Sequence, residues 1–442
     1  MAISLGDHFS YRRLLKFAWP SILMMIFTSI YGVVDGFYIS NYVGKDAFTA
    51  VNLIFPALMI LGVFGFMIGT GGSALVGKTL GEGNKTKARD LFSLFVYTSL
   101  LLGLVIGVIA IINLEKIAIL LGATGDLVHY SVVYGRIYLL GLPLLMLQYE
   151  FQSFCVTAER PHIGLYSTLA AGFGNIILDF LLVGVFKLGI HGAAVATLSS
   201  MVFGGGVPLV YFMFNKTSLL RLGKCHVDFI AIGKALSNGA SEFVSNISMS
   251  VVSILYNSQL IRYIGNDGVA AYGVLMYVNM IFISTFIGFA VGTAPIVSFN
   301  YGAENTDELK NILKKSYSVL IICGFAMLGA GELLARPLSS VFVGYDEELL
   351  ELTVGAFRIY SFTFLFAFIP IYGSSFFTAL NDGKTSAIIS FLRTIVFQIA
   401  AVELLPLFLG VKGIWLSIVV AEVSAALLTL FFLKKNRKKF NY

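Results

Sequence analysis

Apolar residues in this chain fall in long unbroken blocks, with short polar connections between them. Runs of ~20 apolar residues recur from end to end, each long enough to cross the ~30 Å hydrocarbon core of a bilayer as a helix. The blocks predict about twelve spans, at roughly 17–40, 51–77, 91–112, 131–157, 163–186, 190–214, 236–260, 269–298, 316–335, 353–378, 386–408 and 413–433. Strands are excluded for most of them, because a barrel strand crosses in only ~10 residues and lipid demands an internally satisfied backbone. The fold class is therefore an all-α membrane protein of about 12 transmembrane helices.

The blocks repeat. Val43-Gly-Lys-Asp-Ala-Phe-Thr-Ala50 returns as Ile264-Gly-Asn-Asp-Gly-Val-Ala-Ala271, at an offset of 221 residues. The same offset carries Gly71 to Gly292, Gly81 and Asn84 to Gly302 and Asn305, Gly103 to Gly324, and Gly189 and Gly192 to Gly410 and Gly413. One constant offset across most of the chain argues for two six-helix lobes. An even number of helices per repeat gives both lobes the same orientation, so the relating axis runs along the membrane normal and substrate belongs between them near the midplane. The expected organisation is residues 1–214 as an amino-terminal lobe, 215–235 as an inter-lobe linker on the cytoplasmic side, and 236–442 as a carboxy-terminal lobe with a basic tail.

Charge then orients the bundle. With the amino end inside, the inner segments hold 21 Lys and Arg and the outer loops 6, which places both termini in the cytoplasm of a bacterial cell membrane. A net charge of +6 would suggest a nucleic-acid partner in a soluble protein, but here the loop bias explains it. The composition agrees: 57% hydrophobic against 12% charged, where a soluble domain carries about a quarter charged residues. The amino end shows no removable signal peptide. The three cysteines are scattered, and none of the five histidines offers an i, i+4 metal pair. Gly69-Thr-Gly-Gly72 lacks the lysine and strand context of a phosphate loop. No catalytic set, cofactor motif or resident metal motif is present, so the chain reads as something other than an enzyme.

Polar groups inside the spans carry the chemistry. The first span sets Tyr31 and Asp35 on one helix face, after Pro20, and the fifth does the same with Asn175 and Asp179. The sixth adds Thr197, and the fourth adds Gln148, Glu150 and Gln152. A carboxylate inside a membrane helix costs several kcal/mol and points to function. Two carboxylates with an amide and a hydroxyl form a hard-oxygen set that can bind Na⁺ or share a proton. Glu150 and Glu159 lie toward the cytoplasmic half and read as solvated. The second repeat does not copy the set: Asp35 maps to Tyr256, Asn175 to Val396 and Asp179 to Ala400. It holds Glu242, Arg393, Glu403 and Glu422 instead, and Arg393 with one of the glutamates would make a buried pair, a possible carboxy-lobe polar site.

Trp19-Pro20, the Asp35 segment followed by Val43-Gly44, the Gly81-Glu-Gly-Asn84 loop, Ala271-Tyr272 and Phe299-Asn-Tyr-Gly302 together resemble the multidrug and toxic compound extrusion (MATE) family, most closely its bacterial MepA-like branch. The resemblance covers essentially the whole chain. It implies a V-shaped antiporter that exports organic, often cationic and aromatic, compounds against inward H⁺ or Na⁺. Archaeal and DinF-like members use an amino-lobe cation site whose Asp, Asn, Asp and Thr fall on Asp35, Asn175, Asp179 and Thr197. A tyrosine and a bending proline fall on Tyr31 and Pro20. NorM-like members place acids in helices 7 and 10 of the carboxy lobe. Glu242 stands near the first, but Phe357 to Thr378 holds no acid, which favours the amino lobe. The expected partners are small organic compounds and lipid, with the chain acting as a monomer. The alternatives are a lipid-linked oligosaccharide flippase, for which a more cationic cavity and extra helices are expected, and a polytopic membrane enzyme.

Overall fold

The computed structural model describes residues 3–442, apart from the side chains of residues 31–33, 35–37, 40, 41, 45 and 250. The first half of the chain forms α1 (Tyr11–Tyr38), α2 (Lys45–Gly81), α3 (Lys85–Leu120), α4 (Asp126–Leu140), α5 (Leu142–Thr157), α6 (Pro161–Leu178), α7 (Gly189–Met201) and α8 (Val207–Phe214). The second half forms α9 (Phe229–Asn238), α10 (Ala240–Tyr263), α11 (Asn266–Gly302), α12 (Thr306–Val343), α13 (Glu347–Ser361), α14 (Phe364–Ala379), α15 (Gly383–Phe391), α16 (Gln398–Leu409) and α17 (Val411–Phe440). Four wide π-helical turns interrupt this ladder: π1 (Ile39–Val43), π2 (Asp179–Val185), π3 (Val202–Gly206) and π4 (Leu392–Phe397).

Among the described residues, nine helices are long and apolar enough to cross a membrane, and two bent pairs bring the number to 11. The protein is a multi-pass helical membrane protein. The fourth span, expected as one piece, bends by 57° between α4 and α5, where Pro143 opens α5 without an N–H to give. The tenth bends by 50° between α13 and α14. The seventh span, α9 with α10, is less apolar because serines, asparagines and Glu242 break its surface. Its helix begins at Phe229, ahead of the expected start at 236, because the Asp228 carboxylate accepts from the Ile230 and Ala231 amides.

The repeat is visible in backbone detail. Asn84 and Asn305 cap α3 and α12 in the same way, accepting from the amides of Lys87 and Glu308. Gly44 and Gly265 take positive φ, as do Gly189 and Gly410, and Gly83 with Glu304. The halves meet through exchanged contacts. A Cβ at Gly81 would strike the Phe299 carbonyl and Ala303, and one at Gly302 would strike the Lys78 carbonyl. One turn-set further along, Gly71 faces Ala235 and Gly239, while its counterpart Gly292 faces Ala18 and Ser21. Such small residues let helix backbones approach until van der Waals packing replaces the hydrophobic drive that lipid removes. The pseudo-twofold axis therefore passes between Gly81 and Gly302, where α2 and α11 seal one end of the molecule.

The chain termini lock the same end. The Ser4 hydroxyl and Leu5 amide donate to Glu159 Oε1, at 2.6 and 2.8 Å. The Phe9 amide donates to Glu308 Oε1 at 2.9 Å, and Asn311 and Lys315 donate to the Phe9 carbonyl. Residues 4–9 thus tie the α5–α6 corner to α12. Glu159, expected to be merely solvated, is an acceptor in this strap. At the other terminus α17 stays helical through its basic residues to Phe440, with Lys439 Nζ 3.0 Å from Asp382. Lysines and arginine in a final turn favour its negative dipole end.

Candidate functional site

The elements that bear the four amino-half residues pack on one another. α1 lies against α6, π2 and α7, α6 lies against α7, and α7 lies against π2. Phe27 of α1 and Phe173 of α6 meet with centroids 5.0 Å apart and planes tilted by 48°. Asp179 is 0% exposed and stands at the junction where α6 widens into π2; Asn175, one turn earlier, is buried as well. π-turns inside helices are frequent at functional sites, because the wider turn re-aims a side chain at the cost of regular hydrogen bonding. Thr197, on α7, is half-buried and gives its hydroxyl to the Ala193 carbonyl at 3.1 Å. The side chains of Tyr31 and Asp35 lie outside the described residues; their backbone belongs to α1, which faces α6 and π2. Pro20 is buried inside α1, and the helix runs past it without a break.

Two residues of the amino half depart from the sequence pattern: the first was not marked by it, and the second was expected to be solvated. Tyr134 of α4 is buried with its hydroxyl 3.4 Å from that of Thr197. An isolated tyrosine in an apolar run has no pattern to betray it; only the packing of α4 on α7 does. Glu150 is the second. It is 0% exposed, and the polar group beside its carboxyl is the Ser99 hydroxyl of α3. Its expected solvation is overturned because the bend at Gly141 carries α5 into the bundle, between α2 and α3, where Gly69 closes on the Glu150 backbone.

The halves enclose a cavity of about 950 Å³. α2 contributes Pro56, Ile60 and Thr70, but most of the wall comes from α10, α11, α14, π4 and α17. It extends from Glu242 and Thr378 up to Leu121, at the end of α3 remote from the Gly81–Gly302 seal. Its lining is mainly aliphatic, with Tyr256, Tyr272 and Tyr360 as its aromatic side chains and many serines and threonines beside the charged groups Glu242, Arg393 and Glu422, so it offers an organic ligand both apolar surface and polar partners. Tyr256 and Tyr272 stack with centroids 5.4 Å apart, and the Tyr256 hydroxyl donates to Gln398 at 3.0 Å. Arg393, within π4, pairs with Glu422 of α17: Nε lies 3.0 and 2.9 Å from its two oxygens, and Nη2 lies 2.9 Å from Oε1. The remaining acid, Glu403, accepts instead from Gln259 at 2.8 Å. Glu242 lines the cavity without a hydrogen-bond or ion-pair partner for its carboxylate among the described residues.

Comparison with known proteins fits this architecture. A curated relative, Multidrug export protein MepA of Staphylococcus haemolyticus, is 24% identical over 433 residues, covering 97% of this chain and 94% of its own. A crystal structure of MATE in complex with MaL6 superposes with a TM-score of 0.93 at 20% identity, covering 98% of each chain. An outward-facing multidrug resistance MATE transporter of the MOP superfamily superposes at 0.92 with 21% identity, over 98% of this chain and 97% of that one. The MatE family model matches residues 20–181 and 243–402, one stretch in each half of the repeat, and so this chain belongs to the MatE family of membrane transporters.

Proposed function

We propose that this protein is a secondary active multidrug efflux antiporter, exporting organic, often cationic and aromatic, compounds in exchange for H⁺ or Na⁺. The observation that carries this reading is the separation of two sites within one bundle. A buried oxygen set, Asn175 and Asp179 with Thr197, is packed around the helix that bears Asp35. A large cavity of mixed lining, mostly in the second half, lies in the same bundle and is shut at the Gly81–Gly302 end. The export activity printed in the name of the MepA relative supports the direction of transport.

In this scheme, Asp35, Asn175, Asp179 and Thr197 take the coupling ion, with Tyr31 and Pro20 as supporting and gating residues of α1. α1 packs on both α6 and α11, so a change at the ion set reaches the helix that seals the closed end. An ion shifts the balance of conformations only through its different affinity for them. Exposure of the set to one side of the membrane at a time makes that difference usable. The positive-inside bias supports a cytoplasmic position for the closed end and both termini. The test is transport of ethidium by purified protein in proteoliposomes under imposed pH or Na⁺ gradients. Efflux accelerated by one of them is expected; efflux indifferent to both would refute the antiport.

A further inference from the structure

The segment that joins the two halves is folded back onto the start of α3. The Gly223 amide donates to the buried Ser93 Oγ at 3.1 Å, and the Tyr97 hydroxyl donates to the Gly223 carbonyl at 3.1 Å. Arg89 Nε donates to the Leu219 carbonyl at 3.0 Å. The fold-back forms a second cavity, of about 220 Å³, in which Arg221 and Lys224 of the linker stand beside Arg89, with Thr86, Asp90 and Ser93 on the α3 wall. It shares no lining residue with the central cavity and falls below the range of about 300–1,000 Å³ that suits drug-sized ligands. α3 begins four residues after Gly81, so this cavity lies at the sealed end of the molecule.

Three cations share this concavity with one carboxylate, and that carboxylate, Asp90, faces His226 at 3.9 Å. Arg89, Arg221 and Lys224 have no ion pair with an acid among the described residues. Cations gathered this way repel one another until an anion enters. The second repeat is built differently. At the offset of 221, Arg89 maps to Lys310 and Thr86 to Asp307, and Lys310 Nζ lies 3.7 Å from Asp307. In the amino half the cation stands without that acid. The helix itself says what kind of anion fits. Asp90, Ser93, Tyr97, Leu101, Leu104 and Val108 recur every three or four residues along one face of α3. From Tyr97 onward that face is exposed and apolar, as a face against acyl chains must be. A tyrosine at the end of such a face belongs at headgroup level. The cavity therefore stands where lipid headgroups lie, in line with the stripe that meets their chains.

We propose that this second cavity binds the phosphate of an anionic phospholipid, whose chains lie along Leu101, Leu104 and Val108. Arg89, Arg221 and Lys224 take the phosphate oxygens by charge-assisted hydrogen bonds. Ser93 and Tyr97 are positioning residues that hold the linker where its two cations can reach the ligand. A soluble phosphate ester has the same headgroup chemistry; the apolar stripe selects the lipid. A lipid held there fastens the segment between the halves to α3. The inference does not depend on what the central cavity carries.

Native mass spectrometry of the purified full chain in a neutral detergent reads the binding of dioctanoyl phosphatidylglycerol, dioctanoyl phosphatidylcholine and glycerol phosphate. The wild type should bind phosphatidylglycerol more tightly than the other two by about tenfold or more. Arg221→Gln with Lys224→Gln should weaken that binding about thirtyfold, about fivefold for each cation lost near a lipid surface. Thr86→Asp supplies the acid that the second repeat has, in a first helical turn where an acid is favourable, and should weaken binding about fivefold. It decides the matter if the double variant does not fold. Lys434→Gln with Lys435→Gln removes the same charge from the tail and should leave the affinity unchanged. An affinity unaltered in the cavity variant that folds, or lowered as much by the tail pair, overturns the proposal. Phosphatidylcholine bound as tightly as phosphatidylglycerol overturns it too. Glycerol phosphate bound as tightly would make the ligand a soluble phosphate ester and overturn the lipid.

Discussion

Replacing Gly302 with leucine tests whether the closed end is held by backbone contact between α2 and α11. A Cβ there would overlap the Lys78 carbonyl and stand 2.7 and 2.9 Å from Lys78 C and Cα. These are backbone atoms in a helix and cannot rotate away, so the helices must part by about an ångström or more. Overpacking of this kind costs about 1–3 kcal/mol. The cost falls only on the conformation in which the helices touch, so it becomes a shift in population. At ~2 kcal/mol the shift is about 30-fold, enough to reduce a closed fraction of 99% to roughly three quarters. Spin labels at Lys87→Cys and Lys310→Cys, in a background without native cysteines, would report the distance across that end by double electron–electron resonance. Gly302→Leu should add a longer-distance population that the wild type lacks. Gly273→Ala is the control on the same helix, since a Cβ at Gly273 meets nothing within 4 Å. An unchanged distance distribution in Gly302→Leu would refute the seal.

Three further outcomes follow from named contacts. Glu422→Met alone strands Arg393 and should cost about 3 kcal/mol, the low end for breaking a buried pair because the guanidinium keeps some exposure; adding Arg393→Met should restore most of it. Thermal melts in detergent decide this, and equal loss in the single and double variants would contradict it. Glu308→Ala removes the acceptor for Phe9 and the partner of His8, so amide exchange of residues 5–9 should quicken by about tenfold or more while the α5 core stays protected. Unaltered exchange would mean the strap is held by something else. Glu150→Met removes a fully buried carboxyl whose polar neighbour is the Ser99 hydroxyl and should stabilise the fold by about 1 kcal/mol, where a lower melting midpoint would show that the carboxyl is satisfied.

The sequence carried the architecture because lipid enforces it: a span must be long, apolar and helical, and the 221-residue offset survives wherever glycine is needed at the axis, as at Gly81 and Gly302. It also identified Arg393 as a residue that needs an acid, though not that Glu422 would supply it and Glu403 would not. Bends and π-turns were illegible. Gly141 and Pro143 interrupt an apolar run that satisfies every length criterion, and nothing in Leu392–Phe397 distinguishes a π-turn from ordinary helix. Those irregularities set what the site looks like, since they bury Glu150, widen the helix at Asp179 and aim Arg393. Tyr134 escaped notice for the related reason that its partner Thr197 lies on a helix that only tertiary packing brings near.

The coupling scheme stands or falls on Asp179. Reconstituted wild type, Asp179→Asn and Asp35→Asn should be assayed side by side for ethidium binding and for ethidium transport driven by an imposed pH or Na⁺ gradient. Retained binding with loss of gradient-driven transport in both variants is the predicted result. Gradient-driven transport at the wild-type rate in both would contradict an ion site at Asp35, Asn175, Asp179 and Thr197.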